Sequence, residues 1–251
     1  MPIGNIDMLS EVPEAPDVEL VETDGEPMES DWHRMAMNGL IDAVKYRLQA
    51  RNDFYVGGNM FIYFSLTQAR NRDFRGPDFF FVDGVNREPI RPYWAVWLED
   101  GRYPDVIIEL LSPNTAVEDR TTKKAVYERV FHTPEYYCYD HATQQLEGWR
   151  LDRGHYQPLT PDTRGWLWCE RLGLWLGTWA GTCFGSEAIW LRFYDPDGHV
   201  VPLPDEAERQ RAEAERQRAE AERQRAESLE AEVARLRARL AQFEGTPPTS
   251  C

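Results

Sequence analysis

Paired cysteines are missing from this 251-residue chain, and so is any long apolar run. Its four cysteines, Cys138, Cys169, Cys183 and Cys251, form no CxxC pair and have no histidine at ligand spacing. A disulfide scaffold and the common zinc modules are thereby excluded. No stretch is apolar for long enough to span a bilayer and none reads as a signal peptide, so the expectation is a cytoplasmic protein with no membrane partner. Positive charge is also short: 28 Lys and Arg stand against 43 Asp and Glu, a formal net charge of -15. The deficit is uneven. Residues 1–31 carry ten acids and no Lys or Arg, and residues 205–244 carry eleven acids against nine arginines. The stretch between them is left near -3, which neither favours nor excludes a polyanionic substrate.

What is present divides into four parts: an acidic arm at 1–28, a folded body at 29–204, a charged helix at 205–244 and a disordered end at 245–251. The arm lacks a firm period apart from a short strand candidate at 18–21. Ser30 or Asp31 caps a helix running to about Ala50, with apolar positions Trp32, Met35, Ala36, Leu40, Ile41, Val44 and Leu48. Strand signals follow at 53–65 (broken by a Gly pair), 79–82, 94–98 and 103–111, the last two reading as a hairpin about an Asp-Gly turn. The run 106–111, VIIELL, is apolar at almost every position, as expected of a strand covered on both faces. Thr115 and Glu118 have capping-box spacing for a helix over 116–131. Short strands are expected at 136–139, 146–151, 156–159, 166–168, 172–175 and 188–194. The order predicts an α/β (α+β) body on a mixed sheet. In the tail, AERQRAE occurs three times over 207–227, a strict seven-residue period. Glutamates occupy the seam there, whereas Leu229, Val233, Leu236, Leu240 and Phe243 offer an apolar seam for self-association.

Two carboxylates sit where apolar strands do not ask for them. Asp78 opens the strand GPDFFFV, and Glu109 lies late in VIIELL. Were the two strands antiparallel neighbours, both acids would meet at one sheet edge, and a buried carboxylate needs a partner such as a cation. Asp119, Lys123 and Tyr127 share a helix face at i, i+4 and i+8, with a plain surface pair as the simpler reading of Asp119 and Lys123. Lys124 is expected in solvent. Asp105 is a decoy, roughly 13 Å along its strand from Glu109 and too far to share one ion.

GPDFFFV, the segment from Pro104 through IIELLSPNT, the D-x3-K-x3-Y spacing at 119–127 and TPEYYCYD at 133–140 resemble the bacterial putative-restriction-endonuclease family, a branch of the PD-(D/E)XK nucleases. DGEPMESDWHR at 24–34 resembles that family's entry into its first helix. The resemblance implies a restriction-endonuclease-like core, a mixed central sheet flanked by helices, with a long C-terminal helix beyond it. It implies Asp78 and Glu109 as ligands of Mg²⁺ or Mn²⁺, and Lys123 in place of the usual strand lysine, whose position is Leu111. Glu29 and His33 match polar positions near the first helix, and Ser112 matches a turn or cap serine. The implied activity is metal-assisted phosphodiester hydrolysis of nucleic acid, DNA before RNA. Two other readings fit the same residues: an inactive binding module on the nuclease fold, and an assembly protein acting through its helical tail.

Overall fold

The structure, a computed structural model, describes residues 30–65, 67, 68, 76–113 and 115–244. The expected arm, the strand at 18–21, Glu29, Cys251 and the end at 245–251 lie outside the described residues.

Helix α1 (Asp31–Arg47) starts where Ser30 accepts a hydrogen bond from the His33 amide, and buries Ala36, Met37, Leu40, Ile41 and Val44 along one stripe. It ends a turn earlier than the periodicity predicts. Strands β1 (Phe54–Gly57), β2 (Ile62–Tyr63), β3 (Phe79–Asp83) and β4 (Trp94–Ala95) follow. Next come β5 (Val106–Leu111), helix α2 over residues 116–129, β6 (Glu135–Asp140), β7 (Gln145–Asp152) and β8 (His155–Pro158). The body closes with β9 (Leu167–Cys169), β10 (Leu174–Cys183) and β11 (Ser186–Tyr194), and α3 (Pro204–Glu244) is the last element of the described residues.

Six strands form a mixed sheet in the order β1-β3-β5-β6-β7-β8, with β5 and β6 parallel and the other neighbours antiparallel. All six residues of β5 are buried, the expected result for a strand covered on both faces. Period-two alternation divides the core in two. Phe79, Phe81, Val106, Ile108 and Leu110 face α1 and the small sheet β11-β10-β9. Phe80, Val82, Ile107 and Leu111 face Tyr127 and Phe131 on the α2 side.

The segment 94–98 departs from expectation. Only Trp94 and Ala95 are strand, paired in parallel with β2, and Val96–Leu98 is a turn of 3-10 helix. No hairpin joins this segment to β5, because the apolar run from 106 pairs with β3 and β6 instead. Strand β10 runs to Cys183, well beyond the expected 172–175, because its full length pairs with β11. The capping box is also absent: Thr115 makes no side-chain cap bond, and Ser112 Oγ accepts from the Thr115 amide at 3.2 Å in its place. Chain contacts divide the protein after Leu203 into the body and a second unit from Pro204. No helix of the described residues is long and apolar enough to cross a membrane.

Candidate active site

The register of β3 on β5 pairs Phe79 with Ile108, so one step outward Asp78 comes level with Glu109. Their contact is direct: the Asp78 amide donates to Glu109 Oε2 at 3.4 Å. The Leu110 amide donates to Asp78 Oδ2 at 2.7 Å, tying the aspartate to the central strand. Behind it, the Gly pair after β1 has a steric purpose. A Cβ on Gly58 would fall 2.0 Å from the Asp78 carbonyl oxygen, so only glycine lets the chain pass this close.

Glu109 alternates onto the α2 side of the sheet, where two groups meet it and a third holds one of them. Tyr127 Oη donates to its Oε1 at 2.9 Å, Lys123 Nζ stands 3.3 Å from the same oxygen, and Asp119 Oδ1 lies 2.7 Å from Nζ. Residues Asp119–Lys123 form a wider π turn inside α2, a feature often found at functional sites. The Asp119–Lys123 pair is therefore no surface pair: the two side chains are 2 % and 16 % exposed. Lys124 also departs from expectation, lying 3.7 Å from the centroid of the Trp149 ring.

Electrostatics follow from crowding three acids around one lysine. Burial pushes the Glu109 carboxyl up to about 8, against the pull of Lys123 and with a push from Asp78 and Asp119. Burial likewise raises Asp119, opposed by Lys123. Burial alone would lower Lys123, but Glu109 and Asp119 outweigh it and hold the ammonium above its ordinary value. The site thus has more acid than its own cation neutralises, and its donors are hard oxygens. Both properties fit a divalent cation such as Mg²⁺ or Mn²⁺.

His33 contributes from the other side, its Nε2 hydrogen-bonded to Asp78 Oδ1. The sequence-predicted residues Asp78, Glu109, Lys123, Asp119, Tyr127 and His33 are thus joined by contacts. Ser112 stands apart in the turn before α2, its Oγ accepting from the Thr115 amide, and Glu29 lies outside the described residues. Asp105 is remote, accepting from the Asp83 amide at 2.8 Å. The Leu110 amide was not foreseeable as a donor, since every residue but proline carries one.

Two other features compete for attention. A cavity of about 470 Å³ is lined by Asp83, Glu135, Arg150, Glu170 and Arg171. Its buried acid, Glu135, is already satisfied by Arg150 and by the amides of Glu170 and Arg171. On the exposed turn after β11, ligand atoms of Asp195, Asp197 and His199 lie within 4.8 Å of one another. Asp195 spends Oδ1 on the His199 amide at 2.8 Å and Oδ2 on His199 Nδ1 at 3.4 Å, and we assign no metal to it.

No curated protein matches the chain. Among solved structures, a putative nuclease of the DUF820 group from Anabaena variabilis is similar to it, with 15 % identity and a TM-score of 0.44. The likeness covers 62 % of this chain and 86 % of that one. Residues 7–180 match the family Uma2, described as "Putative restriction endonuclease". That match takes in the GPDFFFV strand, the buried Glu109 and the lysine-bearing helix, and the chain belongs to this family of nuclease-type proteins.

Proposed function

We propose that the protein is a cation-dependent endonuclease that hydrolyses phosphodiester bonds of nucleic acid, DNA in the first instance, in the cytoplasm. The observation that carries this reading is the meeting of Asp78, Glu109 and Lys123 at one edge of the sheet. Asp78 and Glu109 would hold Mg²⁺ or Mn²⁺, which when bound supplies a Lewis acid for the phosphate and acidifies a water. Lys123, kept protonated by Glu109 and Asp119, directs its ammonium at the attacking water or at charge growing on the phosphate. Tyr127 and the Leu110 amide fix the two carboxylates, and His33 orients Asp78 from α1. Leu111 fills the position of the usual strand lysine and is buried, so Lys123 reaches the same acid from the helix.

Plasmid DNA and a structured RNA incubated with Mg²⁺ or Mn²⁺ test this reading. The wild-type protein should nick DNA, chelation should stop it, and Asp78→Ala, Glu109→Ala and Lys123→Ala should each abolish cleavage while remaining folded. Wild-type activity in the Glu109 variant, or nucleic-acid binding without turnover under either cation, would defeat it. The exposed seam Leu229, Val233, Leu236 and Leu240 favours association with a second copy through α3. Sedimentation of the full chain should give a dimer mass that Leu229→Glu with Leu236→Glu returns to monomer. An unchanged mass would remove the seam's role.

A further inference from the structure

Beside the carboxylates lies a cavity of about 310 Å³, walled by Trp32, His33, Leu111, Ser112, Asp140 and His141. It sits between the start of α1, the loop after β5 and the β6–β7 turn. His33 belongs both to this wall and to the acid cluster, through Asp78, so the two spaces adjoin. The wall is aromatic. Trp32 and His141 are stacked with centroids 3.9 Å apart and planes at 19°. Tyr139 and Trp190 lie behind Trp32, at 6.0 Å and 6.1 Å.

Two residues of this wall carry a polar atom closed from solvent with no hydrogen-bond partner among the described residues, Trp32 Nε1 and His141 Nδ1, and Tyr139 Oη behind them is a third. Folded interiors seldom leave such atoms unpaired, since each costs about 1–3 kcal/mol. Packing alone does not call for them, because phenylalanine rings fill such space without polar groups. Their place in and behind one aromatic wall indicates a ligand that is flat and heterocyclic. Burial also lowers the His141 pKa, which keeps the ring neutral with one donor and one acceptor nitrogen.

We propose that this cavity seats the nucleobase adjoining the scissile phosphate, which stacks on the Trp32–His141 pair. The proposal rests on the nuclease reading and deepens it. His141 begins an exposed turn, and Trp32 already stacks with both His141 and Trp190, so the imidazole offers the outer face against which the base lies. A base held this way has left its own stack. The substrate is therefore single-stranded or locally unpaired nucleic acid, of relaxed sequence because every base offers a π face. The near absence of surplus basic charge in the body agrees with a site that gains affinity from stacking rather than from many phosphate contacts.

Binding of 2′-deoxyadenosine 5′-monophosphate and of base-less deoxyribose 5-phosphate to the full chain in Ca²⁺, with affinities from titration calorimetry and the Trp32 indole N–H resonance followed in the wild type, tests it. The nucleotide should shift that resonance and bind about tenfold tighter than the sugar phosphate. Trp32→Ala and His141→Ala should each bring the two ligands within about twofold of one another. His141 lies at an exposed turn, so its variant keeps the test alive if the Trp32 variant does not fold. Equal affinities in the wild type, no shift of the indole, or a preference that survives both substitutions overturns the proposal. Cleavage without base preference would remove the cavity's role and leave the nuclease reading. Base preference in a protein that cuts nothing would do the reverse.

Discussion

Glu109 and Glu135 lie on neighbouring strands, β5 and β6, and each is 1 % exposed, yet their surroundings have opposite logic. Glu135 accepts from Arg150 Nη2 at 2.9 Å, from the amides of Glu170 and Arg171 at 3.0 Å each, and from Cys169 Sγ at 3.2 Å. Its charge is fully answered by protein groups, which makes it a clasp between the central sheet and the segment after β9. Glu109 meets one phenol and a lysine it shares with Asp119, with Asp78 beside it. An acid whose charge the protein leaves partly unanswered is one prepared for something brought in from outside. Burial of a carboxylate is thus no guide to function by itself; the balance of its partners is.

The widest separation between the two acids should come from the same substitution at each. Glu109→Gln should cost at least about a thousandfold in initial cleavage rate, the scale of losing a central electrostatic group, with the fold intact by circular dichroism. Glu135→Gln should lose about 2 kcal/mol of stability in urea unfolding, because it weakens the charged acceptor of two amides and of Arg150, which keeps Glu170 and the Trp168 carbonyl. Equal stability losses at the two positions would erase the distinction. A smaller effect is expected at Gly58→Ala. The added methyl displaces the Asp78 carbonyl, and a shift of an ångström costs on the order of a hundredfold in rate.

The smallest effect is a slope. In the cation-free protein Glu109 has its pKa raised from 4.5 to about 8, so the folded state binds more protons than the unfolded one in that window. The stability it contributes is complete at acid pH and is lost as pH rises through about 8. Unfolding free energy should fall with pH there by at most about 1.4 kcal/mol per unit, and Glu109→Gln should flatten the fall. Saturating Mn²⁺ should flatten it as well, by displacing the proton. A slope equally steep in the variant assigns it to other groups.

Much of this site was legible because its parts are strand residues with a fixed period. Asp78 opens a phenylalanine strand and Glu109 interrupts an aliphatic one, and an antiparallel register is all that is needed to bring them level. Lys123 and Tyr127 followed from helical spacing, which survives the π turn between Asp119 and Lys123. The burial of the Asp119–Lys123 pair did not follow, because spacing says which residues share a face and nothing about what covers it. The same limit explains Lys124, whose partner Trp149 comes from a strand 25 positions on. At 94–98 the apolar run was read as strand, but only two residues find a neighbouring strand and the rest coil into a 3-10 turn. The Trp32–His141 stack left no trace in sequence, since the two residues are far apart and the segment 24–34 that holds Trp32 gives no sign of a partner.

Anomalous scattering from crystals soaked in Mn²⁺ tests the central claim most directly. The account predicts a peak coordinated by Asp78 and Glu109, with Lys123 beside it, that disappears in Glu109→Gln. Density at the exposed Asp195 turn alone, or a peak between the strands that persists in the variant, would contradict it.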